Sequence, residues 1–153
     1  MSPTAPAPVR IRPGLAEDHP ALVRVWRSAV DATHDFLAVA GRDGIEARLA
    51  PDYLPAVELL VAEAPDGRVL GFAAVLDGAL EMLFVDAAEH GTGVGSALLV
   101  RAVREHAVTR VDVNEQNPAA LAFYLHRGFE TIGRSETDEA GRPYPLLHLR
   151  LRP

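Results

Sequence analysis

The middle of the chain holds a segment whose composition leaves the backbone few alternatives. Residues 81–85 read EMLFV, and residues 90–96 read HGTGVGS immediately before the helix-spaced apolar stretch that starts at Ala97. A strand, a glycine loop and a helix in that order force a sharp turn. Gly91, Gly93 and Gly95 remove side chains where the backbone must bend and come close to a partner. The N–H groups that open a helix have no intrahelical acceptor, and the helix dipole makes that end attractive to anions. His90, Gly91, Thr92, Gly93, Val94, Gly95 and Ser96 are therefore candidates to hold a pyrophosphate. The segment alone also fits a tight turn that binds nothing. A dinucleotide fingerprint is imitated as well, with Asp112 about twenty residues further on. Against that reading, Ser96 fills the third glycine position, and the loop sits mid-chain after an antiparallel meander.

The periodicities around this segment predict the remaining elements. Residues 9–13 form a short β-like run. Asp18 and Pro20 offer an N-cap and a tolerated first-turn proline, and Leu22, Val25, Trp26, Ala29 and Val30 follow at helical spacing to place a helix over 18–30. Residues 31–37 (DATHDFL) break the pattern and read as a loop, followed by a second helix over 43–53 that Pro51 and Pro55 limit. Strands over 58–64, 69–76 and 79–86 are joined by Pro65-Asp66-Gly67 and by Asp77-Gly78, as in an antiparallel meander. A helix over 93–106, a strand over 109–114, a helix from Asn117-Pro118 to Arg127 stopped by Gly128, and strands over 129–137 and 146–151 complete the order.

Composition removes whole classes of chemistry. The 153 residues contain no cysteine, so thiolate nucleophiles, disulfides and cysteine metal sites are absent, and a reducing cytoplasm is the natural setting. The histidines show no metal-ligand spacing, and no metal is expected. A net charge of −6 argues against nucleic acid, and no apolar run approaches the roughly 20 residues of a membrane span. Residues 1–8 (MSPTAPAP) have neither the basic nor the apolar region of a signal peptide and read as a flexible tail ahead of one domain over 9–153. All fifteen basic residues are arginine, so the chain has no lysine side chain of its own to modify.

A second segment, VNEQNPAALAFYLHRGF over residues 113–129, resembles the second conserved block of the GNAT superfamily of N-acetyltransferases. Asn117, Ala120, Tyr124, Gly128 and Phe129 stand in the family's spacing. The glycine segment is similar to the family's first block: Leu83-x-Val85 precedes His90-Gly91-Thr92-Gly93-Val94-Gly95, against the family's Arg/Gln-x-x-Gly-x-Gly/Ala. His90 departs from the usual Arg or Gln, and Ala87 from a common Pro. SAVDATHDFL (28–37), NEQN (114–117) and GRSETDEAGRPYPLLHL (133–149) resemble the YjaB-type group of small bacterial acetyltransferases.

This resemblance implies an α/β fold with a mixed, twisted, seven-stranded sheet in the order β-α-α-β-β-β-α-β-α-β-β, flanked by helices and splayed between its fourth and fifth strands. Acetyl-CoA would lie in the splay, met by the backbone of Leu83, Phe84 and Val85, by the loop from His90 to Ser96, and by Asn117, Ala120 and Tyr124. The implied reaction is direct transfer of the acetyl group to an amine of a small molecule or peptide, with a homodimer as an allowed assembly. An acyl-CoA-binding sensor without turnover is the alternative. Amine acylation needs a proton acceptor for the ammonium and a donor for the leaving thiolate. The family motif gives Tyr124 the donor role, although an aromatic at this helical position also suits plain packing. Glu81 and His34 are candidates for the base, though Glu81 also reads as an ordinary strand residue. Glu81 and Leu83, two apart on one strand, are expected to share a face about 7 Å apart. Trp26, His34, Asp35 and Phe36, together with Asp112, are expected to shape the acceptor pocket.

Overall fold

Asp77 and Gly78 both adopt positive φ (49° and 78°), which reverses the chain tightly between two apolar strands and fixes the central meander. The computed structural model describes residues 9–153; the expected tail, residues 1–8, lies outside them. Seven strands are formed: β1 (Arg10–Pro13), β2 (Glu58–Glu63), β3 (Val69–Leu76), β4 (Ala79–Val85), β5 (Arg110–Asn114), β6 (Phe129–Ser135) and β7 (Leu146–Leu151). They make one sheet in the order β1-β2-β3-β4-β5-β7-β6. Every neighbouring pair is antiparallel except β4–β5. Four helices are interleaved: α1 (His19–Thr33), α2 (Val39–Arg48), α3 (Val94–His106) and α4 (Pro118–His126). The element order is the one expected from the sequence.

Two apolar layers sit on the two faces of the sheet. On one face, α3 and α4 cover Leu60, Ala73, Leu80, Val111, Val113 and Leu149, with Leu98, Tyr124 and Phe129 filling the layer. On the other, α1 presents Leu22, Val25, Trp26 and Val30 to Val61, Phe72 and Ala74. Strands β2 and β3 are thus covered twice and read as continuous apolar runs. The β5–β7–β6 half keeps its second face polar, with Glu130 paired to Arg150 at 3.0 Å.

Three local expectations are corrected. Helix α1 runs three residues past Val30, because its last turn is held by the Arg27–Asp31 pair (2.9 Å) and by the Thr33 hydroxyl donating to the Ala29 carbonyl (2.8 Å). The loop is accordingly shorter than 31–37. Helix α2 begins at Val39 and none of its residues is buried, so no apolar stripe marked it. Residues Leu49–Tyr53 continue it as a π turn, where Pro51 has no N–H for an α ladder. Finally, β4 does not alternate regularly. Its register against β3 skips from Ala74↔Met82 to Val75↔Leu80, which leaves Glu81 as the extra residue of a β-bulge. Leu80 and Leu83 consequently pack into the same apolar layer, although strict alternation would separate them. Among the described residues no helix is long and apolar enough to cross a membrane.

Candidate active site

Strands β4 and β5 pair only at Ala79↔Arg110 and Leu80↔Val111 and then diverge. The divergence begins at the bulged Glu81 and opens a cavity of about 640 Å³ between β4, α3, β5 and α4. Leu83, Phe84, Val85, His90, Gly91, Gly93, Val94, Gly95, Ser96, Asn117, Ala120 and Tyr124 all line it, as do Glu81, His34 and Asp112. Many of the residues marked in the sequence are thereby brought to one place.

At the loop end of the cavity the usable groups are backbone amides. Val94, Gly95 and Ser96 open α3, and the first helical bond is Ala97 N–H to the Gly93 carbonyl. The N–H groups of Gly91, Gly93, Val94, Gly95 and Ser96 have no acceptor among the described residues. Gly91 (φ 81°) and Gly93 (φ 92°) hold the turn, and a Cβ at either would meet nothing within 4 Å. Their lack of a side chain answers to backbone conformation and open approach, not to packing. These features fit a diphosphate. Val94 contributes through its amide alone, since its side chain is buried in the core. Thr92 does not line the cavity: its hydroxyl (2.6 Å) and its N–H (3.2 Å) both bond the Glu89 carbonyl. The His90 ring donates through Nε2 to the Val85 carbonyl (3.0 Å), so it braces the loop against the strand.

Arg127 belongs to this end and was not anticipated. Its guanidinium lies 3.8 Å from the Phe123 ring centroid and donates through Nε to the Ser96 hydroxyl at 3.0 Å. It places a permanent positive charge at the α3 N-terminus, on the cavity wall. The signal was a basic residue closing α4, which spacing alone does not connect to α3.

Further along, Asn117 caps α4 by accepting from the Ala120 N–H (3.2 Å). Tyr124 is only 7% exposed, packed edge-on against Phe123 and Phe129. Its hydroxyl has no protein partner among the described residues, and no fully buried side-chain polar atom there is unsatisfied. The oxygen must therefore open on the cavity. Burial pushes its pKa up, so it stays a protonated donor.

A second cavity, about 650 Å³, meets the first at Leu80, Glu81, Val111, Asp112 and Asn114. Its outer wall comes from Asp138, Glu139, Ala140 and Arg142 of the β6–β7 connection and from Tyr53. Glu81 stands at the junction. Partial burial raises its pKa, the nearby charges of Glu139 and Asp112 raise it further, and Arg110 opposes them. His34 lines the first cavity from the C-terminus of α1. Burial lowers its pKa first and Arg42 adds to this, against Asp35, so the ring is held neutral. Thr33 spends its hydroxyl proton on Ala29, so the 2.7 Å contact between Thr33 Oγ1 and His34 Nδ1 requires Nδ1 to donate. The remaining nitrogen, Nε2, is an acceptor.

The rest of the expected acceptor wall lies elsewhere. Trp26 is 4% exposed in the α1 core, edge-on to Phe84, and reaches neither cavity. Asp35 is exposed and lines neither. Phe36 stacks between His34 (5.2 Å) and Tyr144 (6.0 Å) and so supports the imidazole from behind. The longer α1 leaves too little loop to fold over the strand, and the β6–β7 connection takes that place.

The model of the acetyltransferase (GNAT) domain matches residues 29–145. A peptidyl-lysine N-acetyltransferase, YjaB of Salmonella typhimurium, is 40% identical over 146 residues, which is 92% of this chain and 97% of that protein. The solution structure of apo YjaB from Escherichia coli superposes with a TM-score of 0.83 at 39% identity, covering 93% of this chain and 96% of that one. The PaiA N-acetyltransferase of Thermoplasma acidophilum, crystallised with coenzyme A, shares the fold at a TM-score of 0.74 and 19% identity, over 94% and 99% of the two chains.

Proposed function

Because the chain belongs to the GNAT acetyltransferase family and is an acetyl-CoA-dependent N-acetyltransferase, we propose that its acceptor is the side-chain amine of a lysine in a peptide or protein, acetylated by direct transfer. The observation that carries this reading is the second cavity, whose lining holds four carboxylates, Glu81, Asp112, Asp138 and Glu139, against two arginines, Arg110 and Arg142. A cationic amine is attracted there and a neutral or anionic acceptor is not. The YjaB relative, named for peptidyl-lysine acetylation, supports the same acceptor class. The chain has no lysine of its own, so the acceptor lysine is supplied by another molecule.

Bound acetyl-CoA supplies an activated thioester at the splay. Its diphosphate would be held by the amides of Gly91 and Gly93 to Ser96, with Arg127 alongside. Glu81 takes the proton of the entering ammonium, and its raised pKa makes the carboxylate a better base than a surface glutamate. The Tyr124 hydroxyl, held protonated by its burial, donates where the sulfur leaves. His34, neutral with Nε2 free to accept, stands ready to pass the proton on.

The test is a panel of lysine peptides and small amines with acetyl-CoA, followed by thiol release. Lysine peptides are expected to turn over, and Glu81→Gln to lower kcat/KM by about 10²–10⁴-fold, the usual span of general base catalysis. Tight CoA binding without acetylation of any amine would instead support a sensor.

A further inference from the structure

Three adjacent strands carry a hydrogen-bonded chain that the reaction above does not use. Asp112 on β5 lies directly across from His148 on β7 in the register, and Asp112 Oδ1 is 2.6 Å from His148 Nδ1. On the far side of the ring, His148 Nε2 is 2.6 Å from the Ser135 hydroxyl on β6. All three are on the polar face of the sheet, away from α4. Only Asp112 reaches the two cavities. A serine, an imidazole and a carboxylate in this order form an orienting unit: a carboxylate that accepts from Nδ1 and a hydroxyl at Nε2 together select one tautomer. Here the reacting end is reversed, because the carboxylate faces the cleft and the hydroxyl faces away from it.

We propose that His148 and Ser135 are positioning residues that aim and charge Asp112, so that Asp112 and Glu81 grip the acceptor ammonium between them. This inference rests on the reading that a cationic amine enters the acidic cleft. A carboxylate only accepts, so His148 Nδ1–H donates to Asp112 while Nε2 accepts from the Ser135 hydroxyl, and the second oxygen of Asp112 stays available to the cleft. The surroundings of the ring are of mixed sign. Arg110 on β5 and Arg150 on β7 flank the pair at alternate positions, Glu130 on β6 neutralises Arg150, and Glu81 and the hairpin residues Asp138 and Glu139 lie toward the cleft. His148 therefore acts on the cleft through Asp112, its direct partner.

The experiment uses the full chain with a lysine peptide. His148→Ala is expected to raise the peptide KM roughly 2- to 10-fold, the range of one net hydrogen bond, with the CoA Kd unchanged because the loop is on another strand. His148→Asn keeps a donor for Asp112. It should restore most of the affinity lost in the alanine variant. The double variant with Asp112→Asn should be no worse than Asp112→Asn alone, since contacting residues that act through one another are not additive. Long-range 15N spectra of the ligand-free protein should show His148 as the Nδ1–H tautomer, and Ser135→Ala should mix the tautomers. A raised KM in Asp112→Asn with an unchanged KM in His148→Ala would overturn the positioning role. An unchanged KM in Asp112→Asn would overturn the acceptor reading beneath it.

Discussion

The two ends of the splay are built from different materials. The loop end is made of backbone: five amides without an acceptor among the described residues, two glycines at positive φ, and a helix start. The cleft end is made of side chains gathered from four separate places: the bulge on β4, the middle of β5, the end of α1, and the β6–β7 connection. Backbone recognition depends on local conformation and tolerates changes of side-chain identity. The His90 departure from the family pattern illustrates this, since its ring is occupied with Val85 while the amides stay free. Side-chain recognition depends on tertiary placement and on mutual charge, so single changes there act on chemistry and pH dependence more than on cofactor affinity.

The comparison breaks most visibly at Tyr124. Tyr124→Phe removes a hydroxyl that no group among the described residues engages, so thermal stability and CoA affinity should hold while kcat falls about 10²–10⁴-fold. Single-turnover kinetics with a lysine peptide checks this, and an unchanged kcat would remove Tyr124 from the chemistry. At the loop end, Gly93→Val forces a β-branched residue to φ 92°, a conformation that costs it on the order of 1–3 kcal/mol. The CoA Kd measured by calorimetry should rise at least about tenfold. Gly93→Asn sharpens the test: asparagine tolerates positive φ better, so its loss of affinity reports blocked approach more than strain.

The asymmetry also explains what could be read before the fold was known. The glycine segment, the Asn117-Pro118 helix start and the Asp77-Gly78 turn announce themselves because each encodes a local backbone conformation. The element order followed from these and from the apolar periods. The bulge at Glu81 has no local signature. It arises because β4 must pair with β3 at both ends while leaving β5, and the misjudged alternation of Glu81 and Leu83 follows from it. Trp26 read as a pocket residue because the first helix and its following loop were expected to line the acceptor end, yet it completes the α1 stripe beneath Phe84. Arg127, His148 and Ser135 were not marked for the opposite reason: Arg127 meets Ser96, and His148 meets Ser135 and Asp112, each thirteen or more residues away in sequence.

A smaller effect is expected in stability. The folded-state pKa of His34 is depressed, so the unfolded chain takes up its proton more readily. The sign follows: this site is without penalty above the unfolded value of about 6.5, and stability is lost as pH falls from there toward the folded value. Thermal stability should therefore fall as the pH drops below about 6.5, and less steeply in His34→Gln. A slope identical in both proteins would show that His34 is not desolvated as its surroundings require.

The claim that joins the two ends is that Glu81 is the base and that its burial, reinforced by the charges of Glu139 and Asp112, sets its strength. The pH dependence of kcat/KM for a lysine peptide, in the wild type and in Asp112→Asn, tests it directly. Asp112 raises the Glu81 pKa, so removing that charge lets the value fall. The acid limb of the profile should move to lower pH. An acid limb that stays in place would contradict the account and pass the role to His34, whose depressed pKa is set by burial and Arg42.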